Sequence, residues 1–120
     1  MDIIVIDTNF AIYTLKGLPV VEPYLDYDFA ISEISVIELL GVKQIDDFTL
    51  KTRKKFINGI YNYPFNVEIR EIAILLKQSY TLKVPDAIIA ATAIHYNQPL
   101  VTADKDFRKI RELSSIIVTL

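Results

Sequence analysis

Ile3-Ile4-Val5-Ile6-Asp7-Thr8-Asn9 is the stretch on which the fold turns. Four consecutive β-branched residues predict a short strand, and the polar triplet that ends it leads into a segment of helix length. The same succession recurs outward along the chain. Further apolar runs stand at Phe29–Ile31, Pro64–Val67, Pro99–Thr102 and Ile116–Thr119. Helices are predicted near Thr8–Leu15, Pro19–Asp26, Ser35–Lys43, Asp47–Ile60, Glu68–Leu82, Asp86–Tyr96 and Phe107–Leu113. Short β-branched runs alternating with amphipathic helices are the pattern of an α/β domain on a mainly parallel sheet.

Two of these helices are marked with particular clarity. Ile69, Ile72, Leu76 and Tyr80 keep helical spacing behind the acidic first turn at Glu68. Pro85-Asp86 reads as a helix start, and Ala87, Ala90, Ala91 and Ala93 give a small-residue surface that lets a helix pack closely.

With 120 residues and no flexible linker, a single domain spanning residues 1–120 is expected. Just over half the residues are apolar and only three are glycine, so the chain is expected to fold throughout, with no second domain after the last strand. The absence of cysteine removes disulfides, thiolate chemistry and cysteine-bound zinc. The start lacks a basic signal region, and no apolar run nears the roughly 18 residues needed to span a membrane; a cytoplasmic protein is expected, with no membrane partner. A net charge of −2 offers no general attraction for a polyanion, yet cations held by clustered carboxylates reverse the local sign.

In open parallel sheets, ligands bind beyond the carboxyl ends of the strands. Asp7-Thr8-Asn9 follows the first run, and Ala103-Asp104-Lys105-Asp106 follows Leu100-Val101-Thr102. Phe29–Ile31 leads through Ser32 to a helix carrying Glu38, while Asp86 opens the alanine-rich helix. Each acid alone has an ordinary explanation: Asp7 as an N-cap, Asp86 in a first turn, Asp104 in a turn, and Ser35-x-x-Glu38 as a capping box. Glu38 resists this most, because Ile34, Ile37, Glu38 and Gly41 share one helical face that is expected to meet the core. Burying an unpaired carboxylate there costs several kcal/mol, about, unless a cation removes the penalty.

Taken jointly, Asp7, Glu38, Asp86 and Asp104 are expected to converge at one edge of the sheet, with Asp106 as a fifth member whose role is open. Oxygen ligands without His or Cys suit Mg²⁺ or Mn²⁺. Such a site polarises water for attack on phosphorus. Thr8, Asn9, Ser35 and Thr102 are placed to orient carboxylates or water.

Asp7-Thr8-Asn9, Ser35-x-x-Glu38, Pro85-Asp86-Ala87-Ile88-Ile89-Ala90-Ala91-Thr92-Ala93 and Thr102-x-Asp104-x-Asp106-Phe107 resemble the successive motifs of PIN-domain nucleases. The likeness spans almost the whole chain, and its length is most similar to VapC-type toxins of toxin–antitoxin pairs. That resemblance implies a three-layer α/β/α sandwich around a parallel sheet and an Mg²⁺- or Mn²⁺-dependent endoribonuclease acting on RNA. It also implies a homodimer and an antitoxin partner, with Asp7, Glu38, Asp86 and Asp104 at the acidic metal-binding positions. Either acid of Asp104-x-Asp106 suits the last of these.

Other features carry less. His95 is the only histidine and lacks a second imidazole at ligand spacing. Lys51, Arg53, Lys54 and Lys55 read as a solvated helix face, whereas Lys105, Arg108, Lys109 and Arg111 directly follow the proposed acids. Tyr61, Tyr63 and Phe65 suit a core or interface more than base stacking, and Ile12, Tyr13 and Leu15 offer apolar surface for the core or a partner. A receiver-like, Mg²⁺-binding phosphoacceptor module would require adjacent acids after the first strand and a lysine after the last. A dehalogenase-type phosphatase would require an acid at position 9, which is asparagine. A non-catalytic binding module on the PIN fold is opposed by the intact acids.

Overall fold

β1 (Ile3–Ile6) lies at the centre of a five-stranded sheet, flanked by β2 (Asp28–Ser32) and β4 (Leu100–Thr102). β3 (Tyr61–Tyr63) and β5 (Ser115–Ile117) form the edges, giving the order β3-β2-β1-β4-β5 with every pairing parallel. This computed structural model describes residues 2–120. Along β1, Val5 points to one face and Ile4 and Ile6 to the other, because successive strand side chains alternate.

Each face is covered by helices, so the architecture is the expected three-layer α/β/α sandwich. On the Val5 side, α4 (Val67–Ser79) and α5 (Val84–His95) close the core with Ile69, Leu76, Ala87, Ala90 and Ala91. Every alanine named in the sequence reading of α5 is fully buried, as close approach to the sheet and α4 requires. On the other side, α1 (Thr8–Leu15), α2 (Glu33–Leu40) and α3 (Asp47–Asn58) bury Phe10, Leu39 and Ile57 against Ile4, Ile6, Ile31 and Val101.

Several boundaries differ from expectation for identifiable reasons. The strand assigned to Pro64–Val67 lies instead at Tyr61–Tyr63, since Pro64 has no N–H for the ladder and Asn66 already caps α4 through the Ile69 amide. Residues 107–113 form no α-helix; a 3₁₀ turn at Lys105–Lys109 gives way to extended backbone at Ile110. Phe107, Ile110 and Leu113 are nevertheless all buried, so their spacing of three reported burial rather than helix. Pro19–Asp26 is likewise a 3₁₀ segment, Pro19–Tyr24, with Pro23 inside it. α2 starts at Glu33 because Ser32, not Ser35, supplies the cap.

Candidate active site

The chain builds β1, β2 and β3 outward in one direction, then returns to place β4 on the other side of β1. In open parallel sheets such a reversal places the ligand crevice beyond the carboxyl ends of the two strands, here β1 and β4. Asp7 and Asp104 are the residues immediately past these two strands or one step beyond. The sheet thus fixes their proximity although 97 positions separate them, counting from 7 to 104.

Asp7 is 6% exposed and held at both oxygens. Its Oδ1 accepts the Phe10 amide at 2.9 Å, capping α1, and its Oδ2 accepts the Thr102 hydroxyl at 2.5 Å across the β1–β4 seam. Thr102, itself fully buried, also accepts the Asp104 amide at 3.0 Å, so one hydroxyl ties both strand-end acids. Burial pushes the Asp7 carboxyl above the ordinary value of 3.8; its two hydrogen bonds oppose this, and the negative charges of Asp104 and Asp86 add to it.

Asp86 occupies the first turn of α5, half-buried, and its side chain accepts no hydrogen bond among the described residues. Burial raises its pKa, the charges of Asp104 and Glu38 raise it further, Lys83 opposes them, and Asp106 contributes a small rise. Asp7, Asp86 and Asp104 therefore lie within one another's fields, with Glu38 and Asp106 acting on Asp86. Thr8 completes the network: its hydroxyl donates to Glu38 Oε1 at 2.6 Å and lies 3.0 Å from the buried Ser35 Oγ.

Asp7 and Asp104 both fill the ordinary capping roles expected of them, Asp104 Oδ1 accepting the Asp106 amide at the following 3₁₀ turn. Glu38 departs from expectation in one respect. α2 turns Ser35 and Leu39 inward, while Ile37 and Glu38 are exposed, so Glu38 is not trapped against the core. Nor is Ser35-x-x-Glu38 a capping box, because Ser35 sits inside the helix. Asn9 is exposed and its side chain makes no hydrogen bond among the described residues. His95 lies exposed against Tyr96, Arg53 is spent on the Leu39 carbonyl, and Lys109 on the Thr81 carbonyl. Tyr63 stacks on Tyr96 at 3.7 Å instead of facing solvent for a base. Lys83 is the residue the sequence reading passed over; a Lys-x-x-Asp spacing on one helical face was the available signal.

The donor set is all oxygen and strongly anionic, which suits a hard divalent cation. Among the described residues no three carboxylates close on a single point.

Comparison with known proteins gives a consistent result. The PIN domain family profile matches residues 4–113. Ribonuclease VapC of Rickettsia bellii (strain RML369-C) is 32% identical across 98% of this chain and 97% of its own. Ribonuclease VapC1 of Rickettsia felis is 30% identical across 97% and 96%. A toxin-antitoxin complex from Klebsiella pneumoniae matches with a TM-score of 0.78 at 29% identity, covering 91% of this chain and 93% of that one. DNA-bound VapBC from Salmonella typhimurium shares the fold, with a TM-score of 0.83 at 19% identity over 98% of both chains.

Proposed function

Because the chain belongs to the PIN domain family, we propose that it is a metal-dependent endoribonuclease and the toxin of a toxin–antitoxin pair. The observation that carries this reading is the buried, doubly anchored Asp7 at the β1–β4 crevice, with Asp86 and Asp104 in its field. The names of the relatives, Ribonuclease VapC and toxin-antitoxin complex, support it independently.

In this reading Asp7, Glu38, Asp86 and Asp104 would hold Mg²⁺ or Mn²⁺, with Asp106 beside them. When bound, the ion supplies a polarised water and positive charge against the phosphate oxygens. Asp7 has both oxygens fixed and acts as a rigid anchor. Asp86 has no such ties, which leaves its carboxylate oxygens free to take the proton of an attacking water. Thr8 and Thr102 orient Glu38 and Asp7. The test is incubation of purified protein with total cellular RNA, with EDTA or with added Mg²⁺ or Mn²⁺. Internal cuts that need the ion are expected; RNA left intact with either ion overturns the nuclease reading and leaves a binding module.

The partner proposed is an antitoxin, and Ile12, Leu15 and the exposed Phe48 line a hollow of about 270 Å³ between α1 and α3 that offers it an apolar seat. A homodimer is proposed through α4 and α5, where Phe65, Ile74, Val84 and Ile88 line an apolar groove of about 350 Å³. Phe65, Ile74 and Val84 are exposed in the single chain. Light scattering is expected to give a dimer, and Ile74→Glu a monomer; a monomeric parent at high micromolar concentration contradicts the dimer without touching the chemistry. No helix among the described residues is long and apolar enough to cross a membrane. The cytoplasm is the proposed location.

A further inference from the structure

Four of the five α-helices begin on a residue whose side chain accepts a first-turn amide: Asp7, Ser32, Asp46 and Asn66. α5, the helix that carries Asp86, begins on Lys83, which makes no capping bond. Lysine has no acceptor to offer there, and its charge meets the positive end of the helix dipole, so it is a poor cap. The loop before α5 is secured by other groups. Lys77 Nζ donates to the Leu82 carbonyl at 2.5 Å and Lys109 Nζ to the Thr81 carbonyl at 2.6 Å. Lys83 itself is exposed, and its ammonium makes no hydrogen bond or ion pair among the described residues.

Lys83 lies one helical turn before Asp86, at the start of the helix that brings this acid to the site. An RNA strand entering this crevice brings phosphates toward a concentration of carboxylates. A free cation at the rim offsets that repulsion where the strand must pass. Lys105 lies between Asp104 and Asp106 in the 3₁₀ turn, whereas Lys83 stands at the start of the helix turn that carries Asp86.

We propose that Lys83 is a substrate-binding residue that contacts an RNA backbone phosphate beside the bond to be cut, fixing affinity at an otherwise anionic site. This rests on the nuclease reading above. The contact reads the backbone and not the bases, so it strengthens binding alike for every sequence.

The test is steady-state cleavage of a short single-stranded RNA, its sequence taken from a site the parent protein cuts, over a series of KCl concentrations. Lys83→Gln is expected to raise KM about fivefold at low salt, with kcat within about twofold. The slope of log KM against log salt should become shallower by about 0.7, one single-strand phosphate contact. Lys83→Arg keeps the charge and should keep the parent slope, and Lys54→Gln, an exposed lysine of α3, should change neither value. The melting temperature of Lys83→Gln should not fall, whereas a residue serving the fold would lower it. An unchanged KM and slope, an effect on kcat alone, or an equal effect from Lys54→Gln overturns the assignment. If the parent cuts RNA and Lys83→Gln behaves like it, only Lys83 is removed from the site. If the parent makes no metal-dependent cut, the nuclease reading fails and Lys83 falls with it.

Discussion

Asp7→Asn is expected to lower RNA cleavage by about three orders of magnitude while leaving the metal-free chain as stable as the parent, or more stable. The change conserves shape. Asn Oδ1 still accepts the Phe10 amide, and the Thr102 hydroxyl can rotate to accept from the new amide group. What is lost is a charge that burial and two neighbouring acids already disfavour. Since the folded chain raises the Asp7 pKa above 3.8, the folded state binds the proton more tightly than the unfolded one. Its contribution to stability is therefore full below that value and declines as pH climbs toward the folded pKa. Asn mimics the neutral form, so the metal-free variant should lack this decline. Added Mg²⁺ should reverse the comparison, because binding to the folded state alone adds about 2.7 kcal/mol at a hundredfold excess over Kd, and the parent should gain more of it. Melting curves across pH, with and without Mg²⁺, beside the cleavage assay, make the comparison. A fully active Asn variant with an undiminished Mg²⁺ shift would remove Asp7 from the site.

Phe10→Ala should have the largest effect on stability, a loss of about 3–5 kcal/mol out of a total of about 5–15 kcal/mol for a domain. Phe10 is fully buried and meets Tyr24 and Phe29 edge to face at 5.8 and 6.1 Å, so truncation empties a space that three elements line. Collapse into that space is restricted by the sheet beneath, where Ile4, Ile6 and Ile31 belong to the same core. Activity per folded molecule should drop as well, because the Phe10 ring docks the turn of α1 whose amide holds Asp7. Urea unfolding measures the loss, and a cost below about 1 kcal/mol would mean that this aromatic cluster does not anchor α1.

Much of the sheet was legible because each central strand is an apolar run ended by a polar residue. Ile3–Ile6 and Thr8–Leu15 match the structure end to end, since a β-branched run and an aspartate cap leave little choice. Tyr61–Tyr63 was displaced by three residues because its exposed Tyr61 and Asn62 give an edge strand no apolar signature. The spacing of Phe107, Ile110 and Leu113 mimicked a helix that backbone geometry does not form. Within the site, the acids were visible by their position after strands and at a helix start, and the structure brings them into one electrostatic neighbourhood. The inward face of α2 is not legible because Ile34, Val36, Ile37, Leu39 and Leu40 spread apolar character around the helix; Ser35 and Leu39, not Ile37 and Glu38, turn inward. Lys83 stayed hidden for another reason: with the helix begun at Asp86, it looked like a loop lysine, and its place at the helix start emerged only with the true boundary.

The Thr102–Asp7 bond joins residues 95 positions apart. Contacts of such long sequence separation form late, because the intervening chain must be ordered before they can be rewarded. During synthesis, β1 emerges first yet has no β4 beside it until four of the five strands have left the ribosome. Until then Asp7 lacks its second anchor and Asp104 does not exist. Translation order thus acts as a timer: an incomplete chain carries the earliest of these acids but not the assembled site, and stalled or truncated products should lack it.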